Sequence, residues 1–157
     1  MRKLLSSSLV LFAGVVSPIA LSPQQPTKSP VSDYRKDPRF EALRKFFEKG
    51  DCPAKEYSHV FLEAADIYKL DWRLLPSISY VESTGGKASQ NNNIFGWDSG
   101  RAHFLSPAAG IHAVGYYLSH AVQYRRKNLD QLLATYNPGP EYALRVKSVM
   151  RRIAPVQ

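Results

Sequence analysis

The chain has 157 residues, 44 % hydrophobic and 22 % charged, which suits one packed domain and excludes a disordered or coiled-coil polypeptide. Its formal charge of +8 points to anionic surfaces as partners. The single cysteine, Cys52, excludes an intrachain disulfide, so the core must hold the fold alone.

Residues 1–22 read as an export signal: Arg2 and Lys3, then the apolar "LLSSSLVLFAGVV", then small residues at Ala20-Leu21-Ser22. That run is short and Ser-diluted for a membrane span. The alternative is an uncleaved membrane-surface anchor. Removing the segment lowers the charge from +8 to +6, through Arg2 and Lys3. An exported basic chain is expected in the periplasm or outside the cell, on cell-wall polymers or anionic lipid rather than nucleic acid. Residues 23–33, with Pro23, Pro26 and Pro30 among polar residues, have linker composition. Residues 34–157 then carry the domain, and Cys52 is expected as a buried, inert thiol.

From Tyr34 onward the pattern is mostly helical. Asp37-Pro38 predicts an N-cap and a helix-starting proline, with Phe40, Leu43 and Phe47 on one face and a stop at Gly50. The next helix aligns Phe61, Ala64, Ala65 and Tyr68. Asp71 caps the segment "WRLLPSISYVES", where Pro76 predicts either a kink or a helix restarting at that residue. "NNNIFGWDSGRAHF" breaks the helical period and reads as a short β-hairpin about Asp98-Ser99-Gly100. Ser106-Pro107 opens a further helix with Ile111, Val114, Leu118 and Ala121 inward. "LDQLLATY" is a helix ended by "NPGP", and the last helix aligns Tyr142, Val146, Val149 and Ile153.

Glu82 draws attention because Gly85 or Gly86 can end its helix in a left-handed conformation. A helix C-terminus carries partial negative charge, and apolar neighbours would desolvate the carboxylate; both bias Glu82 towards the protonated form. A protonated carboxyl can donate to a glycosidic oxygen. The plain alternative is a solvated helical Glu. Asn91, Asn92 and Asn93 offer amides, and Phe95 and Trp97 alternate about Gly96, so both rings could project from one face of a strand as a sugar platform. At least one of the two rings is expected in the core.

These segments together carry a resemblance. "LDWRLLPSISYVESTGG", then "NNNIFGW", then "LLATYNPGPEYALRV" resembles the bacterial glucosaminidase domains that cut peptidoglycan. Those domains belong to the lysozyme-like superfamily, with the soluble lytic transglycosylases. The likeness covers roughly residues 55–153. It implies a mainly α, α+β lysozyme-like fold: a small helical domain with one short hairpin beside the cleft. It implies Glu82 as general acid, Tyr136 near it to orient the acid or touch the sugar, and Asn137 as the asparagine of the same segment. Asn92, Asn93, Phe95 and Trp97 would bind the glycan. The transglycosylase "GLMQ" segment is absent, with "IFGW" in its place, so the product stays open between hydrolysis and an anhydro sugar.

After Glu82 the chain has only Asp98, Asp130 and Glu141 as acids. Asp98 alone falls in the predicted cleft. Either Asp98 or an acid earlier in the chain, such as Asp66 or Asp71, acts as the base, or the N-acetyl group of the substrate supplies the nucleophile, as in lytic transglycosylases. No cofactor is implied. His59, His103, His112 and His120 form no i,i+4 pair and no HExxH, so no metal site is expected. The expected partners are peptidoglycan strands and, through the basic clusters, anionic wall polymers, with the protein a monomer. The contrasting reading is a non-catalytic glycan-binding or cell-envelope scaffold protein.

Overall fold

The computed structural model describes residues 33–155. The segment read as an export signal and nearly all of the linker lie outside the described residues. Among those residues the architecture is six α-helices with two short 3-10 turns and no strand. The helices are α1 (Pro38–Lys49), α2 (Ser58–Tyr68), α3 (Leu74–Ser83), α4 (Pro107–His120), α5 (Leu129–Tyr136) and α6 (Tyr142–Ile153).

The caps explain where the helices start. Asp37 accepts from the Arg39 N–H at 2.8 Å with Pro38 as the first helical residue. Ser106 accepts from the Ala109 N–H at 3.1 Å before Pro107. Asn128 and Gln131 form a reciprocal capping box at α5. Gly50 ends α1 as expected. Pro76 makes neither a kink nor a restart: α3 already begins at Leu74, so the proline falls in the first turn, where its missing N–H has no helical partner to lose. Asp71 lies just ahead and accepts from the Arg73 N–H at 2.9 Å.

The faces that close on one another are the apolar ones. α2 packs mainly on α4, and α3 on α6. Leu43 and Phe47 of α1, Phe61 of α2, Ile78 of α3, Ile111 of α4, Leu133 of α5 and Val146 of α6 are all sealed from solvent. Phe47 stacks on Phe61 at 5.7 Å, and Phe61 meets the edge of Phe95 at 6.5 Å. Each such buried ring contributes about 2–3 kcal/mol by area.

The hairpin expectation fails. Residues 90–105 form a run of turns. Asn91, Asn92, Gly96, Asp98, Ser99 and Gly100 all take left-handed backbone, with φ between 53 and 82°. That conformation cannot continue a pleated strand. What closes the loop is the Phe104 N–H donating to the Asn91 carbonyl at 3.1 Å and the Asn92 amide donating to the Phe104 carbonyl at 2.9 Å.

Candidate active site

Glu82 is the penultimate residue of α3, and the way this helix ends fixes its position. The left-handed cap is Thr84, with φ 54°, rather than either glycine; Gly85 and Gly86 continue the left-handed path at 61 and 97°. Gly85 is needed for a second reason. A Cβ there would lie 2.8 Å from the Cβ of Cys52, which is buried with its thiol pKa raised by burial. The Ala54 N–H also donates to the Gly85 carbonyl at 3.0 Å. The chain after Glu82 is therefore seated against the α1–α2 connection.

Ser83, next to the acid, ties the helix end to the loop. Its buried Oγ accepts from the Gly86 N–H at 2.9 Å and has one proton to give. The Ile94 carbonyl at 2.7 Å is the better acceptor, against 3.1 Å for the Ser79 carbonyl. On the far side of Ile94 the loop is anchored by Phe95, which is fully buried. Gly96 then brings the backbone against the acid with φ 60°; a Cβ on it would stand 2.9 Å from Glu82 Oε2. A side chain here would meet both the left-handed penalty and the carboxylate.

The cavity beside Glu82 has a volume of about 560 Å³. Its walls are Gly96, Trp97, Asp98 and Ser99 from the loop, with Tyr124, Tyr136 and Asn137 opposite. Trp97 meets Tyr117 edge-on at 5.2 Å and lies 5.6 Å from Tyr136. Tyr136 in turn stacks on Tyr142 at 5.8 Å and 7°. Five of the eight residues singled out in the sequence thus meet in one cavity: Glu82, Trp97, Asp98, Tyr136 and Asn137.

Two tyrosines carry the electrostatics. Burial, with the charge of Glu82 behind it, holds the Tyr136 phenol well above its ordinary pKa. Tyr142 is raised strongly for the same first reason, then by Tyr136 and by Glu82. Its hydroxyl is buried without a hydrogen bond of good geometry; Glu82 lies near enough to act on it as a long acceptor. Both phenols therefore stay neutral across the working pH range. The Tyr136 proton is not directed at Glu82: its hydroxyl donates to the Phe95 carbonyl at 2.7 Å. Tyr136 holds the loop, and through it the backbone that passes the acid.

No family model, no curated protein and no solved structure matches this chain. The cavity is accordingly read from its own atoms, and three of the residues expected to face it do not. Phe95 is core, because the left-handed Gly96 breaks the alternation that would have put it beside Trp97 on one face. The Asn93 side chain is buried; its amide donates to the Trp97 carbonyl and accepts from the Trp97 N–H, both at 2.9 Å. Asn92 is occupied with the Phe104 carbonyl. These two amides shape the loop that presents Trp97. Asn137 caps α5 and accepts from the Gly139 N–H at 2.9 Å.

Asp98 is exposed, and its carboxylate is bonded to Arg101 at 2.7 Å. Among the described residues no group of three or more His, Cys, Asp or Glu side chains is arranged to hold a metal ion. Tyr124, Tyr142, Gly96 and Ser99 belong to the site or its wall without having been singled out for it. Tyr142 carried a usable signal in the inward register of α6, and Gly96 in its place between two aromatics. Tyr124 carried none, since it follows α4 in a stretch of turns.

Proposed function

We propose that this chain cleaves the glycan strand of peptidoglycan, with Glu82 as the proton donor, on a fold of the lysozyme-like kind. The observation that carries the proposal is a carboxylate pressed against the Gly96 backbone, beside two neutral tyrosines, Tyr142 buried and Tyr136 half-buried, in an aromatic-walled cavity. Aromatic faces and a positioned carboxyl suit a pyranose better than a phosphate or a peptide. The "ES", "NNNIFGW" and "TYNPGPEYALRV" segments, which resemble glucosaminidases, support the same reading.

In the first step the Glu82 proton goes to the glycosidic oxygen as the C1–O bond breaks. Asp98 is the weaker candidate for the second group, because its carboxylate is exposed and engaged by Arg101. The reading favoured is that the carbonyl oxygen of the substrate N-acetyl group bonds to C1. The Glu82 carboxylate then accepts a proton from the incoming water, or from the sugar's own 6-hydroxyl, as that oxygen displaces the acetamido oxygen.

The test is digestion of purified sacculi by the wild type and by Glu82→Gln, with mass spectrometry of the soluble products. Loss of the general acid is expected to lower release by about 10²–10⁴-fold. Reducing ends would mark hydrolysis and 1,6-anhydro ends internal attack. Equal release by the two proteins would remove Glu82 from the role.

A further inference from the structure

A second depression lies on the face made by α1, α3 and α6, and the cavity chemistry leaves it unused. It consists of two hollows of about 560 and 370 Å³ that share Tyr80 and Arg152 and so run into one groove. Its cations are Lys45 and Lys49 from α1 and Arg145 and Arg152 from α6; no acid lines either hollow. Glu41 reaches Lys45 at 3.5 Å, whereas Lys49, Arg145 and Arg152 make no ion pair among the described residues. The guanidinium of Arg152 lies over two aromatic rings, its carbon 5.4 Å from the Phe46 centroid and 5.2 Å from that of Tyr80. That contact keeps a guanidinium at the groove without an ion-pair partner among the described residues, and a guanidinium fork is the side-chain group best suited to phosphate oxygens.

We propose that this groove is a binding site for a linear polyanion with a phosphodiester backbone and no bases, of the polyol-phosphate class. Three features select that ligand. The cations are spread along an open groove rather than gathered around one point, which fits repeated single charges. The groove carries no carboxylate to repel them. The two rings on its floor are taken up by Arg152, so they offer no stacking platform to nucleobases, on which single-stranded nucleic-acid binding depends. The site stands apart from the Glu82 cavity: Tyr80 and Val81 of α3 and its cap Thr84 face the groove, whereas Glu82 faces the other way. It therefore holds whether or not Glu82 is catalytic.

The experiment is calorimetric titration of the full chain with polyglycerol phosphate free of lipid and of glycan, at low and at physiological salt. Saturable binding that weakens with salt is expected. The paired substitution Lys49→Gln/Arg145→Gln leaves Arg152 and its ring packing in place and should weaken binding roughly tenfold, a few-fold per exposed charge. Arg125→Gln/Arg126→Gln removes the same charge from exposed positions outside the groove and should weaken it less than about twofold. Equal weakening by the two pairs would reduce the effect to net charge and overturn the site. Tighter binding of a single-stranded oligonucleotide of matched phosphate number would overturn the ligand class, and no saturable binding at low salt would overturn both.

Discussion

The two depressions flanking α3 are built from opposite materials. On one side Glu82 sits among rings, the Asn137 amide and neutral phenols, held by backbone that approaches within a Cβ's reach. On the other side Tyr80 and Val81 look onto long cationic side chains with no acid among the lining residues. The first surface is rigid because its parts come from backbone and buried hydroxyls: Ser83 Oγ, the Asn93 amide and the Tyr136 hydroxyl each bind main-chain groups. The second owes its character to side-chain charge at helix surfaces. Rigid dipoles and placed carboxyls serve bond cleavage, whereas long cationic arms serve retention of a polymer. If both proposals hold, one helix divides chemistry and holding between its faces.

Substitutions should separate the two sides, and the largest effect is expected at Gly96. In Gly96→Ala the new methyl meets Glu82 Oε2 and a left-handed backbone at φ 60°. Displacing the acid by about 1 Å is expected to lower sacculus release by about 10²-fold, while polyglycerol phosphate binding stays unchanged. A parallel loss of both would merge the two regions.

Gly85→Ala comes next and should not discriminate. It forces a side chain into Cys52 at a φ of 61°. Left-handed strain and overpacking together predict a loss of about 2–4 kcal/mol in denaturant unfolding. An unchanged midpoint would deny that Gly85 seats the helix end.

Tyr136→Phe leaves the Phe95 carbonyl without its 2.7 Å donor. The expected cost is about 1–3 kcal/mol, with sacculus release reduced and groove binding intact. The same residue sets an alkaline signature. Tyr124, Tyr136 and Tyr142 all have raised folded pKa values, so above roughly pH 10, the ordinary phenol value, the unfolded chain loses protons that the folded chain keeps. Their stabilisation is complete below that pH and declines as pH rises towards the folded values. Thermal melting should fall more steeply above pH 10 in the wild type than in Tyr136→Phe.

The smallest effect is expected at Asp98. Asp98→Asn should change sacculus release by less than about threefold, because that carboxylate is exposed and held by Arg101. An exposed ion pair is also worth little to stability. A loss of 10²-fold would make Asp98 the second catalytic group, since a positioned acid or base contributes at least that much.

How far the sequence foretold this layout depends on the period of each segment. The helices were legible because apolar residues recur at helical spacing and because Asp37, Ser106 and Gly50 mark ends by hydrogen bonding or conformation. Glu82, Trp97, Asp98, Tyr136 and Asn137 were each visible in short segments, and folding brings those segments to one cavity. The loop between α3 and α4 was misread as a hairpin. Alternation in "IFGW" imitates a strand, and the left-handed turns at Asn91, Asn92, Asp98 and Ser99 come from residues with no strong local requirement for them. That error put Phe95 and Trp97 on one strand face, without saying which ring is core, and turned Asn92 and Asn93 outward. The groove was legible only as scattered basic residues, because Lys49 and Arg152 are joined by the packing of α1 and α6, which no local pattern reports.

The most direct test of the central claim separates binding from bond breaking at Glu82. Retention of Glu82→Gln on insoluble sacculi should match the wild type within about twofold, because the amide keeps the shape of the carboxyl, while release of soluble fragments falls by about 10²–10⁴-fold. Retention and release that both equal the wild type would contradict the account. So would a wild type that binds sacculi and releases nothing under any buffer condition, since the cavity would then belong to a binder and its acid would have no chemical task.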